Sequence, residues 1–443
     1  MDIQSITAIL FALSLPSVIH AAEKENIIPA SGATNAEVTA PFFTQSRITL
    51  SLKNYWTYFK EEDETLERVH NAWGQGIHVN YQSGFFKDVI GVDADYYGAV
   101  KLGASDYFNS RGVLYSQGNG NHKKNAHGYA KWGQRNLKVK YQLNQMQLNA
   151  RWGWQAVKNF GVITSSTRLS PTTYFGWTGS AAYDGLTLRG AYFENAMARN
   201  SPDKKRFQTN TGKEINHLTS GALAWEGEKL RMQYGYGESA HYLARHLLLT
   251  EYTPIQPISI GTQIYITQAR NNYRSMPDNK RDFDNHASHY AFDISWKNDR
   301  WRSKWGLGYT DARKKNKVGF YPRHISKYSR GTFTSMAYAG NDYMRDREKV
   351  LSNLTAYDVT PDIAIGVTGN IAQFSYRQNH IRSGEINFFT QWKPLKDLSI
   401  AAMAGPGWSY KSNGKTPRLI NGRYRRTHTL ASEIIIEYKF NLL

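Results

Sequence analysis

Apolar and polar residues alternate with a period of two along most of the chain from residue 47 onward. In 427–440, Leu430, Ile434 and Ile436 share one parity, whereas Glu433 and Glu437 fall on the other. This period predicts β-strands with one apolar and one polar face. Eighteen such segments are predicted, near 47–59, 74–86, 89–101, 128–142, 146–156, 173–182, 185–196, 216–226, 228–238, 243–252, 257–268, 286–297, 300–312, 346–357, 362–375, 383–393, 398–410 and 427–441.

The predicted connections alternate between short turns and long loops. Tight connections such as 183–184 and 297–300 follow even-numbered strands, whereas long ones such as 102–127 and 313–345 follow odd-numbered strands. An even strand count places both termini on the short-turn side, as in bacterial outer-membrane proteins. The predicted fold class is therefore all-β: a transmembrane antiparallel β-barrel of 18 strands in a Gram-negative outer membrane.

Aromatic residues near the short turns are typical of a barrel in a lipid bilayer. Trp225, Trp296, Trp301 and Trp392 lie within a few residues of such turns, where indole rings favour the headgroup depth. The alternative is a soluble β-sandwich or propeller with its aromatics in a core. No repeat of 40–50 residues is evident, which disfavours a propeller.

The first residues are predicted to be a targeting segment. An apolar stretch over 6–19 precedes Ala21 and Ala22 and then the polar residues from Glu23 onward, as expected of a signal peptide ending at residue 22. Residues 1–4 carry no Lys or Arg, so a buried helix is the alternative. The aperiodic segment 23–46 is predicted to be a flexible N-terminal arm, and 47–443 the barrel.

Charge changes the picture of the barrel interior. The chain has 55 Lys+Arg against 36 Asp+Glu, a net charge of +19, and no cysteine, which excludes disulfides and thiolate chemistry. If the apolar parity faces lipid, the polar parity faces a basic lumen. The candidate substrate-binding bases of that wall are Arg47, Lys53, Arg151, Arg189, Arg231, Arg300, Arg302 and Lys304. Such a wall concentrates anions and offers carboxylates bidentate partners.

Other chemistry is weakly represented. The segment 413–416 resembles the tail of a phosphate-binding loop but lacks its first glycine. His286 and His289 are three residues apart on a strand and so point to opposite faces. The sequence therefore predicts no enzyme, no catalytic or metal-binding residues, no cofactor and no nucleic acid partner. Basic clusters in the long loops, such as Lys204-Lys205-Arg206, predict contact with outer-membrane lipid and lipopolysaccharide.

Three motifs resemble those of a known family. They are NAWGQG at 71–76, RLSPT at 168–172 and the NDY…REKV pattern at 341–350. Together they are similar to the OprD-type substrate-specific porins, which include the chitoporins. The resemblance implies an 18-stranded barrel whose third loop, here 157–172, folds inward as a constriction with Arg168 at or beside it. Ser170 stands where the family usually has a second leucine.

The function expected from these observations is passive, substrate-selective uptake of small nutrients across the outer membrane. A basic constricted lumen favours anionic or carboxylate-containing solutes, and the assembly is a monomer or a loose homotrimer. One alternative is a chitoporin-like channel in which Tyr55, Tyr97 and Tyr265 form a stacking track for chito-oligosaccharides. An alternative of a different class is a non-channel surface or periplasmic β-protein.

Overall fold

The computed structural model describes residues 40–62, 67–108, 110–117, 122–331, 343–410, 412–413 and 416–442. The predicted signal peptide and most of the predicted arm, residues 1–39, lie outside them. Eighteen long strands form the main sheet. They are β1 Arg47–Glu62, β2 Glu67–Gln82, β3 Ile90–Ala104, β4 Tyr129–Leu143, β5 Met146–Gln155, β6 Thr173–Tyr183, β7 Leu186–Met197, β8 Leu218–Glu226, β9 Leu230–Ser239, β10 Leu243–Ile255, β11 Ile258–Ala269, β12 His286–Lys297, β13 Trp301–Asp311, β14 Lys349–Thr360, β15 Ile363–Tyr376, β16 Asn379–Leu395, β17 Leu398–Tyr410 and β18 Arg426–Asn441.

The sheet closes on itself. Consecutive strands pair antiparallel, and β1 pairs with β2 on one side and with β18 on the other. The β1–β18 register runs from Thr49↔Asn441 to Glu61↔Thr429. Closure leaves no edge, so backbone donors and acceptors are satisfied without water inside a bilayer. The predicted 18-strand antiparallel barrel is confirmed.

Strand boundaries differ most from the prediction at β2. The sequence predicts 74–86, whereas the strand spans Glu67–Gln82. Charged residues at 67–68 obscure the alternation, yet the backbone there continues to pair with β1 as far as Glu62↔Glu67. In a closed barrel the neighbouring strand sets the length of a strand, and hydrophobicity marks only the part that faces lipid.

The connections fall into two sets on opposite ends of the barrel. One end carries only short ones: 83–89, 144–145, 184–185, 227–229, 256–257, 298–300, 361–362 and 396–397. The other end carries the long connections 105–128, 156–172, 198–217, 270–285, 312–348 and 411–425, together with 63–66 and the turns 240–242 and 377–378. The first and last strands begin and end on the short-turn side, which faces the periplasm in bacterial outer-membrane barrels.

The remaining elements are short. The described residues contain two α-helices, Ala40–Thr44 and Asn271–Arg274, and two 3₁₀-helices, Lys123–Asn125 and Asp278–Lys280. The short strands are Tyr115–Ser116, Ala126–His127, Lys204–Gln208, Glu214–Ile215, Ser412–Asn413, Thr416–Pro417, Leu419–Ile420 and Arg423–Tyr424. Within the described ranges, no helix combines the length and apolar character needed to span a membrane.

The two faces of the barrel differ as the alternation predicts. Trp225, Trp296, Trp301 and Trp392 are between 40% and 45% exposed on the outer face near the short turns. The inner face carries two apolar clusters. A larger one includes Val162, Tyr174, Phe193 and Tyr321, and a smaller one includes Tyr55, Phe108, Tyr129 and Leu169. In both clusters, residues of the long connections pack against inward-facing residues of the strands.

Candidate functional site

The connection 156–172, between β5 and β6, contacts two separate parts of the inner wall. At one end, the Val162 N–H donates to Ser220 Oγ of β8 at 2.9 Å, and a Cβ added at Gly237 of β9 would lie 2.3 Å from Val162 Cγ2. At the other end, a Cβ at Gly74 of β2 would lie 2.8 Å from Leu169 Cδ1. β2 and β9 are seven strands apart, so glycines on two distant walls make room for one segment.

Arg168 is held between these walls by a carboxylate and an aromatic ring. Its Nη1 lies 2.5 Å from Glu433 Oε2 on β18, and its Cζ lies 4.9 Å from the centre of the Tyr55 ring on β1. Glu433 is buried, so the attraction between the two charges is screened less by water and salt than it would be at the surface. The guanidinium can bind both partners because it carries five N–H donors in a planar group.

Three further arginines extend from Arg168 in other connections, with Arg199 next to Arg168 and both Arg323 and Arg330 next to Arg199. Arg199, in 198–217, interacts electrostatically with Arg168, with Arg323 and Arg330 of 312–348, and with Glu433. Burial lowers the pKa of Arg199 well below its ordinary value, and the three neighbouring guanidinium groups lower it further. We call Arg168, Arg199, Arg323 and Arg330 the arginine cluster. Glu433 is the carboxylate that opposes it.

Hydrogen bonds to backbone carbonyls fix the connections relative to each other. The ammonium group of Lys131, on β4, donates to Pro171 O at 3.1 Å and to Ala198 O at 2.6 Å. The Tyr129 hydroxyl donates to Arg199 O at 2.9 Å. These bonds join 156–172 to 198–217, so the positions of Arg168 and Arg199 are coupled.

The segment 320–331 is held by Arg245, a fully buried residue of β10. Arg245 donates to the carbonyls of Pro322 and Arg323 and to Thr267 Oγ1, and its guanidinium lies 4.9 Å from the Tyr321 ring centre. The same segment reaches 156–172, because the Thr164 N–H donates to Arg330 O at 3.3 Å. Arg245 therefore holds the backbone at Arg323, whereas Arg330 is held by Thr164 and by the Tyr174 hydroxyl, which accepts from the Arg330 N–H at 2.9 Å.

His324 lies within this segment and is buried among cations. Burial lowers its pKa well below the usual histidine range, and Arg330 and Arg323 lower it further. Its Nδ1 atom is enclosed without a hydrogen-bond partner in the described part of the chain. The imidazole is therefore neutral at physiological pH.

Most of the wall bases predicted from the sequence have acidic partners. Five of them lie 2.6–3.9 Å from a carboxylate: Lys53 from Glu437, Arg151 from Asp93, Arg231 from Glu226, Arg302 from Asp358 and Lys304 from Asp293. Arg47 is exposed, with no ion pair among the described residues. Arg189 faces the lumen on β7, with Glu226 as an electrostatic neighbour. Arg300 lies in the turn 298–300, where it donates to the Tyr357 hydroxyl at 3.2 Å, and not on the wall.

The proposed stacking track is closed to solutes. Tyr55, Tyr97 and Tyr265 face the lumen by parity, but their exposed fractions are 1%, 4% and 0%. Tyr97 is covered by His78, whose ring stacks on it with centroids 4.1 Å apart. A sugar ring therefore cannot lie on any of these three faces in this conformation.

A cavity lies on the short-turn side of Arg168, and we call it the chamber. It has a volume of about 950 Å³ and is bounded by residues of β1, β2 and β18 and by 167–171. Its charged lining consists of Arg47, Lys53, Arg168, Lys439 and Glu437. Three of the predicted site residues, Arg47, Lys53 and Arg168, thus meet at one place.

Sequence reasoning missed Arg199, Arg245, Arg323 and Arg330. All but Arg245 lie in long connections, where no period assigns a direction to a side chain. One signal was available for the segment 320–331, since FYPRHI at 320–325 places basic residues among large apolar ones. A loop exposed to water does not need such apolar residues, so this composition indicates packing against the barrel.

Comparisons with known proteins agree with this geometry. A family model described as outer membrane porin, OprD family, matches residues 40–404. The chain belongs to the OprD family. As an OprD-family porin, it is a channel of the Gram-negative outer membrane for small solutes. No curated protein sequence matched the chain.

Solved structures of other porins resemble the OprD-family chain in fold. The Pseudomonas aeruginosa OpdK structure with vanillate has a TM-score of 0.69 at 14% identity, covering 90% of this chain and 100% of that one. Acinetobacter baumannii OccAB1 has a TM-score of 0.75 at 12% identity, covering 93% and 100%. Acinetobacter baumannii OccAB3 has a TM-score of 0.71 at 15% identity, covering 90% and 100%. At these identities the likeness extends to the fold alone.

Proposed function

We propose that this porin takes up small carboxylate-bearing nutrients passively and prefers anions to cations. The arginine cluster carries the proposal. The four guanidinium groups of this cluster, from three connections, and the carboxylate of Glu433 carry a formal charge of 4 − 1 = +3, and Arg111 is a further cation beside Glu433. Buried charge is poorly screened by salt, so this field acts on any ion that passes. Guanidinium groups also match the two oxygens of a carboxylate.

We further propose that 156–172 and 320–331 form the constriction. This is supported by the contacts of 156–172 with β2 and with β8 and β9, and by the hydrogen bond between Thr164 and Arg330. The channel then discriminates by width and by field, and no covalent step is required.

The wall bases act, in this proposal, as secondary sites along the path. An arginine engaged by one carboxylate oxygen keeps other N–H donors for a passing solute. Arg47, Lys53, Arg151, Arg189, Arg231, Arg302 and Lys304 are the proposed wall sites. Arg300 is excluded because it lies in a turn. A chitoporin-like track is disfavoured, since its three tyrosines are buried.

Two proposals concern the parts of the chain outside the lumen. The exposed bases Lys204, Lys205 and Arg206 in 198–217 would neutralise lipopolysaccharide phosphates. Residues 1–22 would be removed as a signal peptide, and residues 23–46 would precede the barrel as an arm. The last residues of that arm include the helix Ala40–Thr44, and the Gly84 N–H donates to Phe42 O at 3.0 Å.

The test is single-channel current from purified protein in a planar bilayer under a KCl gradient. We expect an anion-selective reversal potential, with pyruvate and benzoate perturbing the current more than neutral chitohexaose. A cation-selective or unselective reversal potential would contradict the proposal. Block by chitohexaose alone would support the chitoporin alternative instead.

A further inference from the structure

We propose that the chamber binds polyhydroxylated monocarboxylates, such as sugar acids, in preference to aromatic carboxylates. This inference rests on the proposed function, since an anion must pass Arg168 to reach the chamber, and it adds the class of substrate. The volume of about 950 Å³ holds a single sugar acid together with bound water.

The charges of the chamber provide a site for one carboxylate. Arg47, Lys53, Arg168 and Lys439 line it, whereas Glu437 is the lining acid, giving 4 − 1 = +3. Glu433 and Asp95 lie behind the chamber lining, where they contact Arg168 and His78. When these two acids are counted as well, the formal charge of the chamber is still 4 − 3 = +1. Glu437 already accepts from Lys53 at 3.3 Å and from Lys439 at 3.1 Å, so it does not compete for Arg47.

Arg47 is the group best placed to receive the solute carboxylate. It is exposed at the start of β1, lines the chamber and has no ion pair among the described residues. A planar guanidinium that is not engaged in an ion pair offers two parallel N–H donors to a carboxylate. The carboxylate of the ligand would therefore lie at the end of the chamber that contains Arg47.

The rest of the lining consists mainly of hydroxyl and amide groups. Thr49, Ser51, Asn80, Gln82, Thr167 and Asn441 all line the chamber. Thr49 donates to Asn441 Oδ1 at 3.1 Å, but Gln82 and Thr167 are exposed and make no side-chain hydrogen bond within the described ranges. A sugar hydroxyl is both a donor and an acceptor, so it can pair with either an amide or a hydroxyl group.

Three apolar or aromatic side chains also line the chamber, Tyr97, Leu169 and Pro171, beside the imidazole of His78. Leu169 is buried against β2, and Tyr97 is covered by the imidazole of His78. A benzene ring would displace water from Gln82 and Thr167 without replacing its hydrogen bonds, which costs affinity. The lining therefore selects hydroxyl groups as well as a negative charge.

Three probes separate the requirement for a carboxylate from the requirement for hydroxyl groups. Glucuronate carries the carboxylate and the hydroxyls, glucose carries only the hydroxyls, and benzoate carries the carboxylate on an apolar ring. Each is titrated into the full-length porin in a planar bilayer, and the apparent dissociation constant is taken from the blocked fraction of the single-channel current. Since two or three hydrogen bonds correspond to about tenfold in affinity, we expect glucuronate to block at about one-tenth of the concentration of either control.

A variant that leaves the charge unchanged tests the lining itself. In Gln82→Leu/Thr167→Val, we expect the preference for glucuronate over benzoate to fall toward one while the KCl reversal potential stays at the wild-type value. The matched control is Gln147→Leu/Thr187→Val, whose two sites lie on the lumen parity of β5 and β7 outside the chamber. The control should keep the wild-type preference.

The outcomes separate this inference from the proposed function. Benzoate that blocks as well as glucuronate through an anion-selective pore would overturn the inference and leave the proposed function intact. An equal loss of preference in the control pair would also overturn it, because the effect would then not come from the chamber. A pore without anion selectivity would overturn the proposed function itself.

Discussion

Arg168 and Glu433 form the ion pair in which a single residue change should alter selectivity most directly. Replacing Arg168 with Gln removes one cation and leaves Glu433, which is 6% exposed, without its closest partner. The local charge changes from 4 − 1 = +3 to 3 − 1 = +2. We expect the chloride-to-potassium permeability ratio of Arg168→Gln to fall roughly threefold to tenfold, measured as the reversal potential in a KCl gradient.

The double variant Arg168→Gln/Glu433→Gln isolates the electrostatic part of this effect. It restores the formal charge of the cluster to +3, since one cation and one anion are removed together. We expect its permeability ratio to return most of the way to the wild-type value. A double variant as unselective as the single one would mean that Arg168 shapes the path and does not set its field.

At the residue scale, sequence reasoning singled out Arg168 as a candidate because RLSPT resembles a motif of the OprD family. The other members of the arginine cluster have no such motif. Arg199 and Arg330 become neighbours only because 198–217 and 312–348 meet inside one closed sheet. The ion pairs of the wall bases also lay beyond the sequence pattern: Lys304 and Asp293 are on adjacent strands, and only the register brings their charges to 2.9 Å.

Among the connections, 320–331 has two consecutive backbone carbonyls bound by one side chain of the barrel wall. Arg245 satisfies the carbonyls of Pro322 and Arg323 from a fully buried position. In Arg245→Met these carbonyls lose their donors, and each buried unsatisfied group costs about 1–3 kcal/mol. We expect the segment to leave the wall in part of the population, which raises mean single-channel conductance and adds current fluctuations.

The control for this prediction is Arg231→Met. Arg231 also faces the lumen, but its partners are Glu226 and Glu251, at 3.2 and 3.8 Å, and no long connection in the described ranges rests on it. It removes the same charge without removing a loop anchor, so the loss of a wall base can shift its mean conductance but should add no current fluctuations. Equal fluctuations in both variants would show that charge loss alone is responsible.

The elements that could be predicted are those whose residues interact with a uniform environment. Strands facing lipid on one side repeat a single pattern, so all eighteen were recognised. The connections have no common environment: Val162 packs on Gly237 of one wall, whereas Leu169 packs on Gly74 and Gly76 of another. The NAWGQG motif illustrates the difference, since its glycines read as strand residues but also provide the space that Leu169 fills.

Over the whole molecule, buried cations lie beside apolar clusters inside the barrel. The larger apolar cluster includes Val162 and Tyr321, and the smaller one includes Leu169 and Tyr55. Arg168 lies beside the smaller cluster, and Arg323 and Arg330 flank residues of the larger one. Connections that are packed in this way can hold cations close together, because the apolar contacts offset the repulsion among the guanidinium groups.

Such an arrangement should respond to acidic pH through His324. The pKa of His324 is lowered when the segment 320–331 is packed against the wall. At a pH below the ordinary histidine pKa of about 6.5, His324 therefore binds a proton when the segment is released but stays neutral while the segment is packed. Packing is therefore fully favoured above that pH and weakens by about 1.4 kcal/mol for each pH unit below it, until the folded pKa is reached. We expect single-channel conductance to rise and to fluctuate more as the pH is lowered from 7.5 to 5.

His324→Gln cannot take up this proton, so its conductance should change much less over that pH range. The same pH dependence in wild type and variant would assign the effect to another group.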